Sequence, residues 1–149
     1  MAITYARNLV HIAFATRYQA AVLLPEYRTT LYNYMRTYLA EKECGVLCIG
    51  GGDDHVHLLL EVGPTLRLAT VVKDLKLSTW VLIRDRLKIK KFPGWKKGYL
   101  ALSIDPKDQR LVTEYILLNH VYHIEHGFDH EMDRLCTEHG LDYQGFQDH

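Results

Sequence analysis

The chain is short of cysteine, of net charge and of unbroken apolar sequence, and each shortage narrows what it can be. Its three cysteines, Cys44, Cys48 and Cys136, have no paired spacing that suggests a disulfide framework or a zinc knuckle. They read as small buried hydrophobes in a reducing compartment. No apolar run approaches the length of a membrane span, and the N-terminus lacks a signal-peptide pattern. A cytoplasmic protein with no membrane partner is therefore expected. Lysine plus arginine and aspartate plus glutamate number 18 each, which excludes a uniformly basic nucleic-acid binder. The charge is unevenly laid out, however. Between Arg84 and Lys97, the basic residues Arg84, Arg86, Lys88, Lys90, Lys91, Lys96 and Lys97 face one acid, Asp85, whereas from Phe128 onward acids outnumber Arg134. A basic stretch inside a neutral protein is a directed patch.

At 149 residues and 48% hydrophobic, the chain fits one domain spanning 1–149 with a sizeable core. Asn8 to Thr16 alternates as a strand, with Val10, Ile12 and Phe14 on the bulky face and His11 on the other beside Ala13 and Ala15. Pro25 opens a helix whose Tyr27, Leu31, Tyr34, Met35 and Tyr38 recur at helical spacing. Gly45 to Ile49 is a short strand, and Gly50-Gly51-Gly52-Asp53 turns it back as a hairpin. No helix follows those glycines, which weakens a phosphate-loop reading. Thr65 to about Leu87 is a long helix with Lys73, Lys76, Trp80 and Arg84 on one side. That side runs into the lysine-rich segment ending at Trp95-Lys96-Lys97-Gly98-Tyr99. Cations interleaved with aromatics suit single-stranded nucleic acid, whose phosphates need charge and whose bases stack; a plain solvated helix face is the alternative. A strand from Tyr99 to Ile104 follows. Asp105 caps a helix expected to run to Gly127, and a last short helix after Asp129 turns Met132, Leu135 and Cys136 inward.

The order strand, helix, strand, strand, helix, strand is that of an α+β, ferredoxin-like β-α-β-β-α-β antiparallel sheet. Its helices are expected on one face, with the catalytic helix and a short terminal helix added at the C-terminal end. In the third strand His55 and His57 share a face, opposite Val56, Leu58 and Leu60. First and third strands are central neighbours in this topology, so the histidine pair is expected on the open face with His11 beside it. On the late helix Tyr115 and Asn119 project together at i and i+4, while Leu117, Leu118, Val121 and Ile124 form an apolar arc. Asn119 has little propensity reason to sit there. Two imidazoles and the Asn119 amide oxygen make a mixed nitrogen and oxygen site with open positions, suited to Mg²⁺ or Mn²⁺. A tyrosine beside such an ion has a hydroxyl able to attack phosphorus. No dedicated base is evident.

Together these residues resemble a known family. Asp54-His55-Val56-His57-Leu58-Leu59 is similar to the His-hydrophobe-His motif of the single-tyrosine HUH transposases of insertion sequences and their REP-associated relatives. Trp95-x-x-Gly98-Tyr99, Tyr115-Ile116-x-x-Asn119, His123 and the tail Leu135-x-x-x-His139-Gly140-Leu141-x-Tyr143 resemble its later blocks in the same order. The resemblance implies a prokaryotic, nucleoid-associated DNA transposase that cleaves and rejoins single-stranded DNA at hairpin-marked ends. Tyr115 would form the 5′-phosphotyrosine link, with His55, His57 and Asn119 holding the metal and His11 and His123 supporting them. Lys73, Lys76, Arg84, Lys96 and Lys97 would contact DNA. It also implies a homodimer in which the tyrosine helix of one subunit serves the histidines of the other. Asn119 resembles the REP-associated branch, since many insertion-sequence members carry Gln at that place, while the C-terminal tail resembles the insertion-sequence branch. An inactive hairpin-binding descendant and an HUH replication initiator or relaxase-like nuclease are the alternatives.

Overall fold

The computed structural model describes residues 2–121 and 126–148. Four strands, β1 (Leu9–Ala15), β2 (Cys44–Gly51), β3 (His55–Val62) and β4 (Leu100–Ser103), form one sheet in the order β2-β3-β1-β4, each pair antiparallel. This is the ferredoxin-like arrangement expected from the element order. Helices α1 (Pro25–Glu41) and α2 (Leu68–Leu82) pack on one sheet face. Leu31, Met35 and Leu39 of α1, with Val72, Leu75 and Leu82 of α2, bury the bulky side of β1 and β3 there. A π-helical turn, Ile83–Leu87, extends α2 and ends at Lys88 in the left-handed region, φ 53°.

The opposite face was expected to lie open, and it is covered. It carries Ala13, Ala15, Leu59, Leu100 and Leu102, apolar side chains that water would disfavour. They are capped by α3 (Gln109–Leu117) and α4 (Phe128–Glu138): Ile116 seats on Cys48 and Leu59, and Phe128, Met132, Leu135 and Cys136 cover the rest. A conformational detail lets α3 in. A Cβ on Gly50 would lie 2.1 Å from the Ile116 carbonyl oxygen, so β2 and α3 approach backbone to backbone at that point. The glycine run thus has a structural use at Gly50 besides turning the hairpin.

The single helix expected up to Gly127 is interrupted. After a 3₁₀ turn at Pro106–Asp108 and α3, Leu118 leaves helical geometry with φ −97° and ψ 7°. Leu117, Leu118 and Val121, read as part of one apolar arc, are 52%, 61% and 51% exposed. The buried residue is Ile116, one position earlier, because the face of α3 on the sheet also carries Tyr115. Ile124 and His123 lie outside the described residues. Among the described residues no helix is long and apolar enough to cross a membrane.

Candidate active site

The sheet register prepares room for two imidazoles. Cross-strand partners of His57 are Ala13 on one side and Gly50 on the other, and the β1 partner of His55 is Ala15. Small neighbours leave the rings space to stand up from the sheet, where α3 and α4 enclose them. Both histidines and Glu131 are fully buried, and Asn119 with them. Each has polar partners there, although Phe128 lies beside His55 with ring centroids 5.3 Å apart.

Each ring is held at its inner nitrogen and presents the outer one. His55 Nδ1 lies 2.7 Å from Asp54 Oδ1, and His57 Nδ1 lies 2.7 Å from His11 Nε2. Such contacts fix ring orientation, as partners behind metal-binding histidines do. The outer nitrogens converge. His57 Nε2 is 3.1 Å from Glu131 Oε1, His55 Nε2 is 3.4 Å from the same oxygen, and 2.6 Å separate His55 Nε2 from Asn119 Oδ1. The other carboxylate oxygen, Glu131 Oε2, accepts from the Asn119 amide and from the Tyr115 hydroxyl. Tyr115 stands edge-on to His57, ring centroids 5.8 Å apart, with the Arg134 guanidinium 5.4 Å from the centre of its ring. Its outer side borders a cavity of about 290 Å³ that His11 and Arg134 also line.

The electrostatics follow from the packing. Burial would push the Glu131 carboxyl up, but the hydrogen bond from His57, the charges of His57 and His55 and the bond from Tyr115 outweigh it and hold it at about 2. Burial first, then the neighbouring charge of His57, keeps His11 well below the ordinary histidine value, so His11 serves as a neutral support.

His55 Nε2, His57 Nε2 and a Glu131 oxygen lie within 4.8 Å of one another. Both nitrogens of His55 face oxygen acceptors, so a positive species belongs between Nε2 and the oxygens. Two imidazoles, a carboxylate and an amide oxygen fit a divalent ion, and the group is compatible with metal binding.

Residues 4–119 match the profile of the IS200-like transposases. The chain belongs to that family. A search of curated protein sequences finds no match to this transposase. Among solved structures it is similar to a presumed transposase from Deinococcus radiodurans, with a TM-score of 0.64 and 22% identity over 80% of this chain and 96% of that one. It is also similar to a REP-associated tyrosine transposase bound to a REP hairpin, with a TM-score of 0.60 and 14% identity over 97% and 90% of the two chains. These likenesses bear out the fold.

Of the residues singled out from the transposase sequence, the structure brings His55, His57, Asn119, Tyr115 and His11 together. It does so within one chain. Glu131 was missed. It sits on α4 between Phe128 and Leu135, both buried, so a carboxylate on the apolar face of a short helix was the signal available. The expected cations divide into two groups. Lys73, Lys97 and Arg84 are exposed, Arg84 being bound to Asp85. Lys76 instead donates to the carbonyls of Lys96 and Gly98 at 2.9 and 2.6 Å, and burial brings its pKa down to about 8. Lys96 is 9% exposed, with its Nζ 3.4 Å from Asp148 Oδ1.

Proposed function

We propose that this transposase cleaves and rejoins single-stranded DNA at hairpin-marked ends, with Tyr115 as nucleophile. The observation that carries the reading is the Tyr115 hydroxyl bonded to one oxygen of a carboxylate whose other oxygen faces both histidines. A phenol alone is barely ionised at neutral pH, about 0.1%. Glu131 Oε2 accepts the phenolic hydrogen bond and so orients the hydroxyl, whose proton passes to water as the phenolic oxygen bonds to phosphorus. The bond from phosphorus to the 3′ oxygen then breaks, a proton from water completes the 3′-hydroxyl, and a 5′-phosphotyrosine remains. Rejoining is the reverse, with a 3′-hydroxyl displacing the phenol.

His55, His57 and Glu131, with the Asn119 oxygen beside them, would hold Mg²⁺ or Mn²⁺. Bound there, the ion supplies positive charge that draws electron density from the phosphoryl oxygens. Lys73, Lys97 and Arg84 would meet DNA phosphates, and Lys76 and Lys96 would shape the surface that does so. A hairpin as substrate is supported by family membership and by the hairpin bound to the REP-associated relative.

The test is incubation of the protein with Mn²⁺ and a hairpin oligonucleotide taken from DNA flanking its gene. A covalent adduct is expected on a denaturing gel and should vanish in Tyr115→Phe without loss of hairpin binding. An adduct surviving that change, or none from the unaltered protein, refutes the reading. Mixing Tyr115→Phe with His57→Ala separates the two arrangements of a homodimer. Activity stays absent if each chain uses its own tyrosine and returns if tyrosine helices are exchanged.

A further inference from the structure

The site behind α3 makes no use of the solvent face of α2, where the strongest unexplained surface lies. Trp80 is 45% exposed there, next to Leu77 at 57% and Val81 at 44%. Large apolar side chains clustered in solvent mark a contact surface. Trp80 is the shared wall of two hollows. One, of about 360 Å³, lies between α2 and residues 94–99; the other, of about 630 Å³, lies between the end of α2 and the loop through Lys88 and Lys90.

The first hollow has an apolar floor of Ala69, Val72 and Leu77 and a cationic rim of Arg17, Lys73 and Lys97; among the described residues no acid lines it. Arg17 is held beside it by the bond from its guanidinium to the Pro93 carbonyl at 3.4 Å. The hollow is also pre-formed. Lys76 ties α2 to the carbonyls of Lys96 and Gly98, and Trp95 Nε1 donates to Thr79 Oγ1 at 3.0 Å. Neither wall can close on the other without breaking those bonds. An apolar slot beside an indole, rimmed by cations, complements a base and its phosphate. The 94–99 wall of the hollow is tied to the strand end beside His55, because the Lys96 amide bonds to the Ala15 carbonyl at 2.9 Å and Ala15 pairs with His55.

We infer that Trp80 is a stacking platform for an unpaired DNA nucleotide, its base seated in this hollow and its phosphate held by Arg17, Lys73 and Lys97. The inference rests on the single-stranded DNA reading above and adds to it where the strand beside the hairpin lies. Trp80 is a binding residue only, remote from the phosphoryl chemistry.

The two tryptophans make the test direct. Trp95 is 7% exposed but lines the same hollow, so quenching by a ligand is assigned to Trp80 by its loss in Trp80→Phe. The full-length protein is titrated, in chelator to prevent cleavage, with three oligonucleotides taken from DNA flanking its gene. They are a hairpin with an unpaired overhang, the same hairpin blunt-ended, and the overhang hairpin with abasic sites in the overhang. The overhang hairpin should quench Trp80 emission, and the blunt and abasic ones should not. Trp80→Ala should bind the overhang hairpin about ten-fold more weakly and the blunt hairpin unchanged, with Trp80→Phe in between. Equal affinity of Trp80→Ala and the unaltered protein for the overhang hairpin overturns the inference, as does equal quenching by the blunt one. Failure of every hairpin to bind overturns the hairpin reading itself, and this inference with it.

Discussion

Glu131→Gln keeps the size of the side chain and removes the charge on which the buried site turns. The Glu131 carboxyl is held at about 2 in the folded chain against an ordinary 4.5. A carboxyl depressed by folding stabilises the fold above its unfolded pKa and loses that contribution as the pH falls through the folded value. Here the separation is worth about 3 kcal/mol at neutral pH, of which about 2 kcal/mol is gone by pH 3. The assay is urea unfolding at pH 7, 5, 4 and 3 in chelator, followed by near-ultraviolet circular dichroism, for the unaltered protein and Glu131→Gln. Other carboxylates titrate in both proteins, so the difference between the two isolates this one. That difference should shrink by about 2 kcal/mol between pH 7 and pH 3. At neutral pH the variant should be the less stable, because its amide nitrogen or oxygen must face donors arranged for an anion. Calorimetric titration with Mn²⁺ should show binding weakened by about ten-fold or more when one charged ligand is lost. Parallel stability curves across the pH range would refute the placement of a charged Glu131 between the histidines. Unchanged Mn²⁺ affinity would refute its share in metal binding.

Gly50→Ala places a methyl group 2.1 Å from the Ile116 carbonyl oxygen, a backbone atom that cannot swing aside. It should cost about 1–3 kcal/mol in urea unfolding and slow adduct formation as α3 lifts Tyr115 away from Glu131; unaltered kinetics would mean that α3 does not set the nucleophile. Lys73→Ala combined with Lys97→Ala should reduce the salt dependence of single-strand binding by about 1.4 in log–log slope, at about 0.7 per phosphate contact, with no change in melting temperature. Lys76→Met should do the reverse, lowering the melting temperature because two loop carbonyls lose their donor, and equal slopes in all three proteins would remove DNA from this face of α2.

Much of the site could be read from spacing alone. A period of two put His55 and His57 on one side of a strand, and a period near 3.6 put Tyr115 beside Asn119. The topology then made β1 and β3 neighbours, which placed His11. What spacing could not supply was the packing of late elements. Glu131 lies 74 residues from His57; its place on the arc of Phe128, Met132 and Leu135 sets it apart from the other acids of that helix, but what it faces is decided only when α4 is laid against the sheet. The same gap explains why the second sheet face was expected to be open and why the apolar arc of Leu117, Leu118 and Val121 says nothing of its exposure. Helical periodicity assigns residues to arcs, and the arc that meets the sheet is decided by Gly50 and Leu59, far away in sequence. Lys76 shows a further limit. A cation on an exposed arc and a cation holding two carbonyls have the same helical position, and only the 94–99 segment tells them apart.

The order in which the chain delivers its parts has a bearing on synthesis. The histidines belong to β3 and the basic face to α2, while the phenol and the carboxylate arrive on α3 and α4, after the sheet is complete. A ribosome that terminates between α2 and α3 therefore releases a fragment carrying imidazoles and lysines but neither Tyr115 nor Glu131. Such a product lacks the residue proposed above as the nucleophile.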